Sequence, residues 1–359
     1  MRTVDIRAAV GGRLGVAVRD GRGRVLLAAG SPLTAGLCEA LVRRGHAHVV
    51  LMDGVADDVL PQDALATQTR ETATTTIRDC FGRLQQGENL PVRAVTAALD
   101  AVLSDLHSVP AAALELAVLR TASDRGFVHS VNVCVYALLT GQAMGLHGVE
   151  LRALGMGALL HDIGKVLCPD LCHREGPFSE EELRRLRQHP LDGFEMLRQH
   201  QDLHLFVAHI AYQHHERMDG SGYPRGLRGN RILALARVTS VANAYDARTG
   251  DGSPQSRLAA VEHLRRGAGH IFDADAVHAL LRRLAVYPAG TPVLLADGTV
   301  AVVIDQGMDA GTPTVRLLGR AGRRFREQVH IPAAGPQAIA QVLPQWPAWL
   351  QGSVPPRPE

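Results

Sequence analysis

Leu203 to Pro224 reads LHLFVAHIAYQHHERMDGSGYP, and this stretch decides how the rest of the chain is read. Leu205, Val207, Ala208, Ile210 and Ala211 form an apolar helical run that delivers two adjacent histidines, His214 and His215. The helix breaks into Asp219-Gly220-Ser221-Gly222 and stops at Tyr223-Pro224. Two imidazoles at a helix end can meet one cation, because the second ring turns inward where the backbone leaves helical geometry. Imidazole nitrogen suits zinc, iron, manganese or nickel, so the ring chemistry leaves the metal open. The glycines let the backbone approach a ligand closely. Outward from this stretch the helical pattern continues over 127–146, 149–161, 179–188, 190–200, 203–215, 232–249, 254–267 and 273–285, with short polar or Gly/Pro breaks. No βαβ alternation interrupts it, so the middle of the chain is expected to be all-α.

Upstream lie His129-Ser130 and His161-Asp162-Ile163-Gly164-Lys165, and between them and the opening stretch lie His189-Pro190 and Gly193. With His214-His215-Glu216-Arg217 running to Gly222-Tyr223-Pro224, their order and spacing resemble the HD-GYP family. That family is the bacterial cyclic di-GMP phosphodiesterase branch of the HD hydrolases. The resemblance spans roughly Ser123 to Tyr287. It implies a mainly α fold, an HD-type helical bundle.

Hydrolysing a phosphodiester at neutral pH needs a strong nucleophile and a sink for charge on the phosphoryl oxygens. Two metal ions about 3.5–4 Å apart supply both, given a carboxylate to bridge them. The resemblance implies two divalent ions (Fe, Mn or similar), with Asp162 as the bridge. One ion would take His129, His161, Asp162 and position 243; the other would take Asp162, His189, His214 and His215. Asp162 and Lys165 would be the catalytic pair, Lys165 holding a phosphate oxygen or the attacking water. Gly222, Tyr223, Pro224 and Arg217 would bind substrate, with Tyr223 placed to stack on a guanine. His200, His204 and His209 match no ligand position and read as structural.

The match departs from the family in three places. The family's Asp-x-x-Asp-Ala segment is here Asn243-Ala244-Tyr245-Asp246-Ala247. A neutral amide is a weaker ligand for a hard cation than a carboxylate and removes one negative charge. The family's Arg-Pro-Tyr-Arg segment is replaced by RTGDGSPQS over 248–256. The loop after the His-Asp motif is one residue short, with Arg174 where lysine is common. Arg125 stands where some members place a glutamate for a third metal, so three metals are not expected.

Composition frames these motifs. A chain of 359 residues can hold two or three domains. A net charge of +2 gives no argument for DNA or an acidic membrane as partner. Among 38 Lys+Arg residues the only lysine is Lys165, which points to a need for a compact ammonium at a phosphate. The start of the chain carries no apolar signal segment, and the apolar stretch 131–146 is broken by Asn132, Thr140, Gly141 and Gln142. Cys38, Cys80, Cys134, Cys168 and Cys172 show no paired spacing and read as reduced thiols. These features lead to the expectation of a cytoplasmic protein without a membrane span.

Five segments are expected. Residues 1–54 form a small β-rich module, with a hairpin over 15–20 and 24–28, a helix over 33–44 begun by Thr34, and a strand over 47–52. Residues 55–122 form a helical linker, with helices over 64–86, 92–106 and 111–121. A long helix of this kind can pair with its copy in a homodimer. Residues 123–287 are the catalytic domain. Residues 288–332 form a small β-rich C-terminal module with strands over 291–295, 300–305, 314–318 and 328–331 and a turn at Asp297-Gly298. Residues 333–359 are a Pro-rich tail, either docked through Trp346 and Trp349 or disordered.

The expected activity is metal-dependent hydrolysis of cyclic di-GMP to a linear dinucleotide, and on to GMP, in bacterial signalling. The alternative on the same fold is a weak or inactive module that acts as a cyclic di-GMP receptor or binds a diguanylate cyclase domain. A phosphohydrolase for another nucleotide is a third reading, against which Gly222-Tyr223-Pro224 argues.

Overall fold

Hydrophobic periodicity changes twice along the chain, from strand-like to helical and back, and the architecture follows it. A computed structural model describes residues 2–19, 24–44, 46, 48–52, 54–59, 64–108, 125–172, 177–249, 254–284, 286–287, 289–305, 312–335, 338–343 and 346–350. The helix expected over 111–121 and the turn Gly21-Arg22-Gly23 lie outside the described residues.

The N-terminal part carries β1 (Arg2–Asp5), β2 (Arg13–Leu14), β3 (Val18–Arg19), β4 (Val25–Leu27), α1 (Ala35–Arg43) and β5 (His48–Met52). Strand β5 lies between β1 and β2, antiparallel to both, and β3 pairs with β4 as the expected hairpin. Thr34 caps α1 by accepting a hydrogen bond from the Leu37 N–H. Cys38 and Leu41 of α1 then pack with Leu14, Leu33, Val49 and Leu51 in a small core.

The helical middle comprises α2 (Thr67–Gln85), α3 (Val92–Ser108), α4 (Arg125–Ala143), α5 (Gly148–Leu160), α6 (Pro169–Cys172), α7 (Glu180–Leu197), α8 (Leu205–Gln213), α9 (Ala234–Arg248), α10 (Pro254–Gly267) and α11 (Ala274–Leu281). Helix α4 is the axis, because Ser130 to Gly141 is buried without a break. Helices α2, α5, α9 and α11 pack around it. The apolar face of α2, with Ala73, Ile77 and Cys80 buried, packs against α3 and α4 of its own chain. That apolar face is thus used within the chain. Among the described residues no helix is long and apolar enough to cross a membrane.

One expected break is absent. Residues 179–188 and 190–200 were expected as two helices parted at Pro190, but Glu180–Leu197 is a single helix with Pro190 inside it. Ser179 and Glu182 close its start as a reciprocal capping box. Pro190 has no N–H to give the Leu186 carbonyl four residues back. That carbonyl instead pairs with the His189 ring, Nδ1 lying 2.5 Å away. A side-chain donor replaces the missing backbone donor, so the helix continues.

The C-terminal sheet is antiparallel, in the order β10-β6-β7-β8-β9, with β6 (Pro292–Leu295), β7 (Thr299–Asp305), β8 (Thr314–Arg320), β9 (Arg323–Pro332) and β10 (Ile339–Val342). The β module expected to end at 332 therefore continues to Val342. Trp346 is 1% exposed and packs with Val300, Val302, Ala56 and Val59, and the partly buried Trp349 packs against the same cluster, so this part of the tail docks through both indoles. Arg316 on β8 holds Asp58 with two hydrogen bonds of 2.9 and 2.6 Å. This ties the segment after β5 to the C-terminal sheet.

Candidate metal centre

Helix ends supply most of the site. His161 is the residue that closes α5, and Asp162 opens a tight 3-10 turn, Ile163–Leu167, that carries Lys165. His214 closes α8, His189 lies inside α7 and His129 lies in the first turns of α4. Among the described residues, two groups of ligand atoms meet at Asp162. One group of mutually close ligand atoms is His129, His161 and Asp162; the other is Asp162, His189, His214 and His215, each group lying within 4.8 Å.

The two oxygens of Asp162 divide the histidines. Oδ2 lies 3.4 Å from His161 Nε2 and 3.9 Å from His129 Nε2. Oδ1 lies 3.3 Å from His189 Nε2 and 3.7 Å from His214 Nε2. Lys165 Nζ donates to Oδ2 at 2.5 Å.

Which nitrogen carries the proton follows from the other side of each ring. His161 Nδ1 is 2.8 Å from the Ala158 carbonyl, His189 Nδ1 is 2.5 Å from that of Leu186, and His214 Nδ1 is 2.8 Å from that of Ala211. Each carbonyl sits three residues back, where the helix ends or, at Pro190, where a backbone donor is missing. His129 Nδ1 is 2.7 Å from Asp246 Oδ2. A carbonyl or carboxylate can only accept, so Nδ1 carries a proton in all four rings, and the neutral form of each presents its Nε2 lone pair inward. His189 Nε2 and His214 Nε2 then face each other at 3.2 Å, lone pair to lone pair. His161 Nε2 and Asp162 Oδ1 are buried with no hydrogen-bond partner. Converging lone pairs beside a carboxylate fit cations, and the Nδ1 anchors are the outer-shell bonds that metal-bound histidines use.

Electrostatics favour the same state. Burial pushes His161 down to about 4. Burial first, then the neighbouring rings, pushes His214 and His215 well below the usual imidazole range. Burial alone would raise Asp162, but His161 and the Lys165 ammonium outweigh it and hold the carboxyl well below the usual range. Neutral rings around an ionised carboxylate are the protonation state that metal ligation requires.

The segment after α8 forms the wall. Glu216, 2% exposed, accepts from the backbone N–H groups of Arg225 at 2.9 Å and Leu227 at 2.8 Å. This closes the loop and presents Tyr223, whose ring stacks on His215 at 4.6 Å. The Arg187 guanidinium lies over the Tyr223 ring, 5.6 Å from its centroid. Arg217 donates to Ser240 Oγ at 3.3 Å and covers Phe272 at 4.9 Å. Among the described residues no carboxylate lies within ion-pair distance of it. A Cβ at Gly222 would stand 2.4 Å from the Arg217 backbone nitrogen and 2.5 Å from the His215 carbonyl oxygen. Gly222→Ala is therefore expected to unseat Tyr223 and raise KM on the order of tenfold, with metal content unchanged; substrate titration beside metal analysis checks it.

The structure thus gathers His129, His161, Asp162, Lys165, His189, His214 and His215, with Tyr223 stacked on the last. Asn243 is half-buried on α9, one turn before Asp246. Asp246 does not turn toward Asp162. It is committed to His129 Nδ1 and to Asn132 Nδ2, which donates to its Oδ1 at 2.9 Å. Sequence reading gave no role to Glu216, Asn132 or Gly164; a glutamate just ahead of a glycine-rich loop was the one visible signal.

Residues 109–276 match a family model described as an HD domain. The chain is 33% identical over 257 residues to "Cyclic di-GMP phosphodiesterase PA4108" of Pseudomonas aeruginosa, covering 70% of this chain and 61% of that protein. It is 39% identical over 150 residues to "Cyclic di-GMP phosphodiesterase response regulator RpfG" of Xanthomonas campestris pv. campestris, covering 40% of this chain and 39% of that one. The chain therefore spans less than two thirds of either relative. Among solved structures, Bd1817, an HDG"Y"P protein from Bdellovibrio bacteriovorus, aligns over 78% of this chain and 97% of its own at 19% identity and a TM-score of 0.47.

Proposed function

The chain belongs to the HD-GYP family, and from that premise we propose that it is a metal-dependent phosphodiesterase that opens the ring of cyclic di-GMP. The observation that carries this reading is the sharing of Asp162. Its two oxygens face two separate sets of histidine lone pairs, the arrangement that two divalent ions of the iron or manganese kind would fill. Bound there, such ions lower the pKa of water and neutralise charge on the phosphoryl oxygens.

The protein's own groups do the rest. Asp162 balances the positive charge from the centre of the site. Lys165, 30% exposed, lies beside Asp162 Oδ2 and is placed to hold a phosphate oxygen or the attacking water. Arg217, unmatched by a carboxylate, is a natural partner for the substrate's phosphate. Tyr223 offers an aromatic face to a guanine, with Gly222 and Pro224 fixing its place in the loop. Water adds to phosphorus, the bond to the ribose oxygen breaks, and that oxygen leaves with a proton. The product is a linear dinucleotide, which a second cleavage converts to GMP.

The test is turnover of cyclic di-GMP by protein loaded anaerobically with Mn or Fe(II), with bound metal counted in the same sample. Two ions per chain and a linear product are expected. Retained nucleotide binding without product would sink the enzyme and leave a receptor.

That second reading, a receptor for cyclic di-GMP or for a diguanylate cyclase domain, draws on one observation, the neutral amide of Asn243 at the family's carboxylate position. Asn243→Asp separates the two readings. It restores a hard, charged ligand, so metal affinity at the His129 position and turnover are expected to rise together, on the order of tenfold. No change in either quantity would show that Asn243 is not what limits the site.

A further inference from the structure

A chain of side-chain hydrogen bonds runs from outside the matched HD segment to the metal-facing ring of His129. Arg70, on α2, donates from Nη1 to Asn132 Oδ1 at 2.8 Å. Asn132 donates from Nδ2 to Asp246 Oδ1 at 2.9 Å. Asp246 accepts from His129 Nδ1 at 2.7 Å. Asn132 and Asp246 are each 1% exposed, so neither can turn to water for a substitute partner. The Asn132 amide has one workable orientation, oxygen to the guanidinium and nitrogen to the carboxylate. His129 and Asn132 are three residues apart on α4 and share one face.

We propose that Arg70 is a positioning residue for the first metal position, acting through Asn132 and Asp246 on His129. This rests on the metal reading given above. The relay matters most at this position, because Asn243 leaves it one carboxylate short and Asp246 supplies its charge through the His129 ring. Arg70 fixes Asn132, Asn132 fixes Asp246, and Asp246 keeps the proton on Nδ1 so that Nε2 faces Asp162. Arg70 lies before residue 109, where the HD match begins, so the seating of α2 on α4 becomes a condition for loading the first metal.

The experiment titrates metal-free protein with Mn2+ by calorimetry, for wild type, Arg70→Met and Arg70→Lys. Arg70→Met is expected to weaken the weaker of two binding steps about tenfold, the scale of lost outer-shell partners, while the tighter step stays put and the melting temperature falls by only a few degrees, from the unpaired Asn132 oxygen. Arg70→Lys keeps one donor and recovers part of the loss. An unchanged weaker step, or equal weakening of both steps, overturns the proposal. 15N NMR of the metal-free protein reads the relay independently, through the nitrogen that carries the His129 proton. It is expected on Nδ1 in wild type and spread over both nitrogens in Arg70→Met. If this shift occurs although wild type binds no Mn2+, the relay stands and the metal reading falls. If wild type binds two Mn2+ and neither proton nor affinity moves, the relay falls and the metal reading stands.

Discussion

Asp162→Ala is expected to remove bound metal from both positions and to lower turnover of cyclic di-GMP by roughly three orders of magnitude or more, the scale seen when a transition-state charge stabiliser is lost. The size follows from the sharing of one carboxylate. Oδ2 serves the His129 and His161 side and Oδ1 the His189 and His214 side, so one substitution strips both. It also removes one partner of the Lys165 ammonium. Fold stability moves much less, because the rings keep their Nδ1 bonds to Ala158, Leu186 and Ala211. Five imidazoles left without the carboxylate between them are a poor site for two divalent ions. Metal analysis, a melting curve and an assay on the same preparation check it. Activity surviving in a metal-free Asp162→Ala protein would mean that the site lies elsewhere.

What could be read from the residues alone was the list of ligands. His161-Asp162 and His214-His215 announce themselves by adjacency, and His129 and His189 by their place in a specific motif order. The sequence does not say which nitrogen of each ring faces inward. That depends on carbonyls three residues back being free, which is a property of where helices end. Pro190 shows the limit well. As a residue type it argues for a break, and the break was expected; in the fold His189 fills the gap that Pro190 leaves, so the breaker becomes part of how the ligand is held. Asp246 is a second case. It lies one turn after Asn243 on α9, and only the packing of α9 on α4 shows that it binds the back of His129. The strand 339–342 was missed because a short, Pro-flanked segment has no pattern of its own and gains its pairing only from β6.

Gly164→Ala carries the other large effect, and it tests how the two halves of the site are brought together. A Cβ at Gly164 would stand 2.1 Å from the His189 carbonyl oxygen and 2.5 Å from the Gly193 backbone nitrogen. Both obstacles are backbone of α7, which cannot rotate away as a side chain tip can. The 3-10 turn bearing Asp162 and Lys165 must therefore lift off the helix bearing His189. The Asp162 Oδ1 to His189 Nε2 distance of 3.3 Å is the one that opens. Overpacking of this kind costs about 1–3 kcal/mol, so the melting temperature falls by several degrees. A displacement near 1 Å in a reacting site costs on the order of a hundredfold in rate. Gly193→Ala is the matched control. Its Cβ would meet the Gly164 nitrogen at 3.3 Å and the Ala211 methyl at 3.5 Å, contacts that a slight adjustment accommodates. Gly164→Ala is expected to lose metal from the His189 position and most of its activity, while Gly193→Ala keeps the larger part of both. Equal behaviour of the two variants would mean that contact between the turn and α7 does not set the geometry of the metal centre.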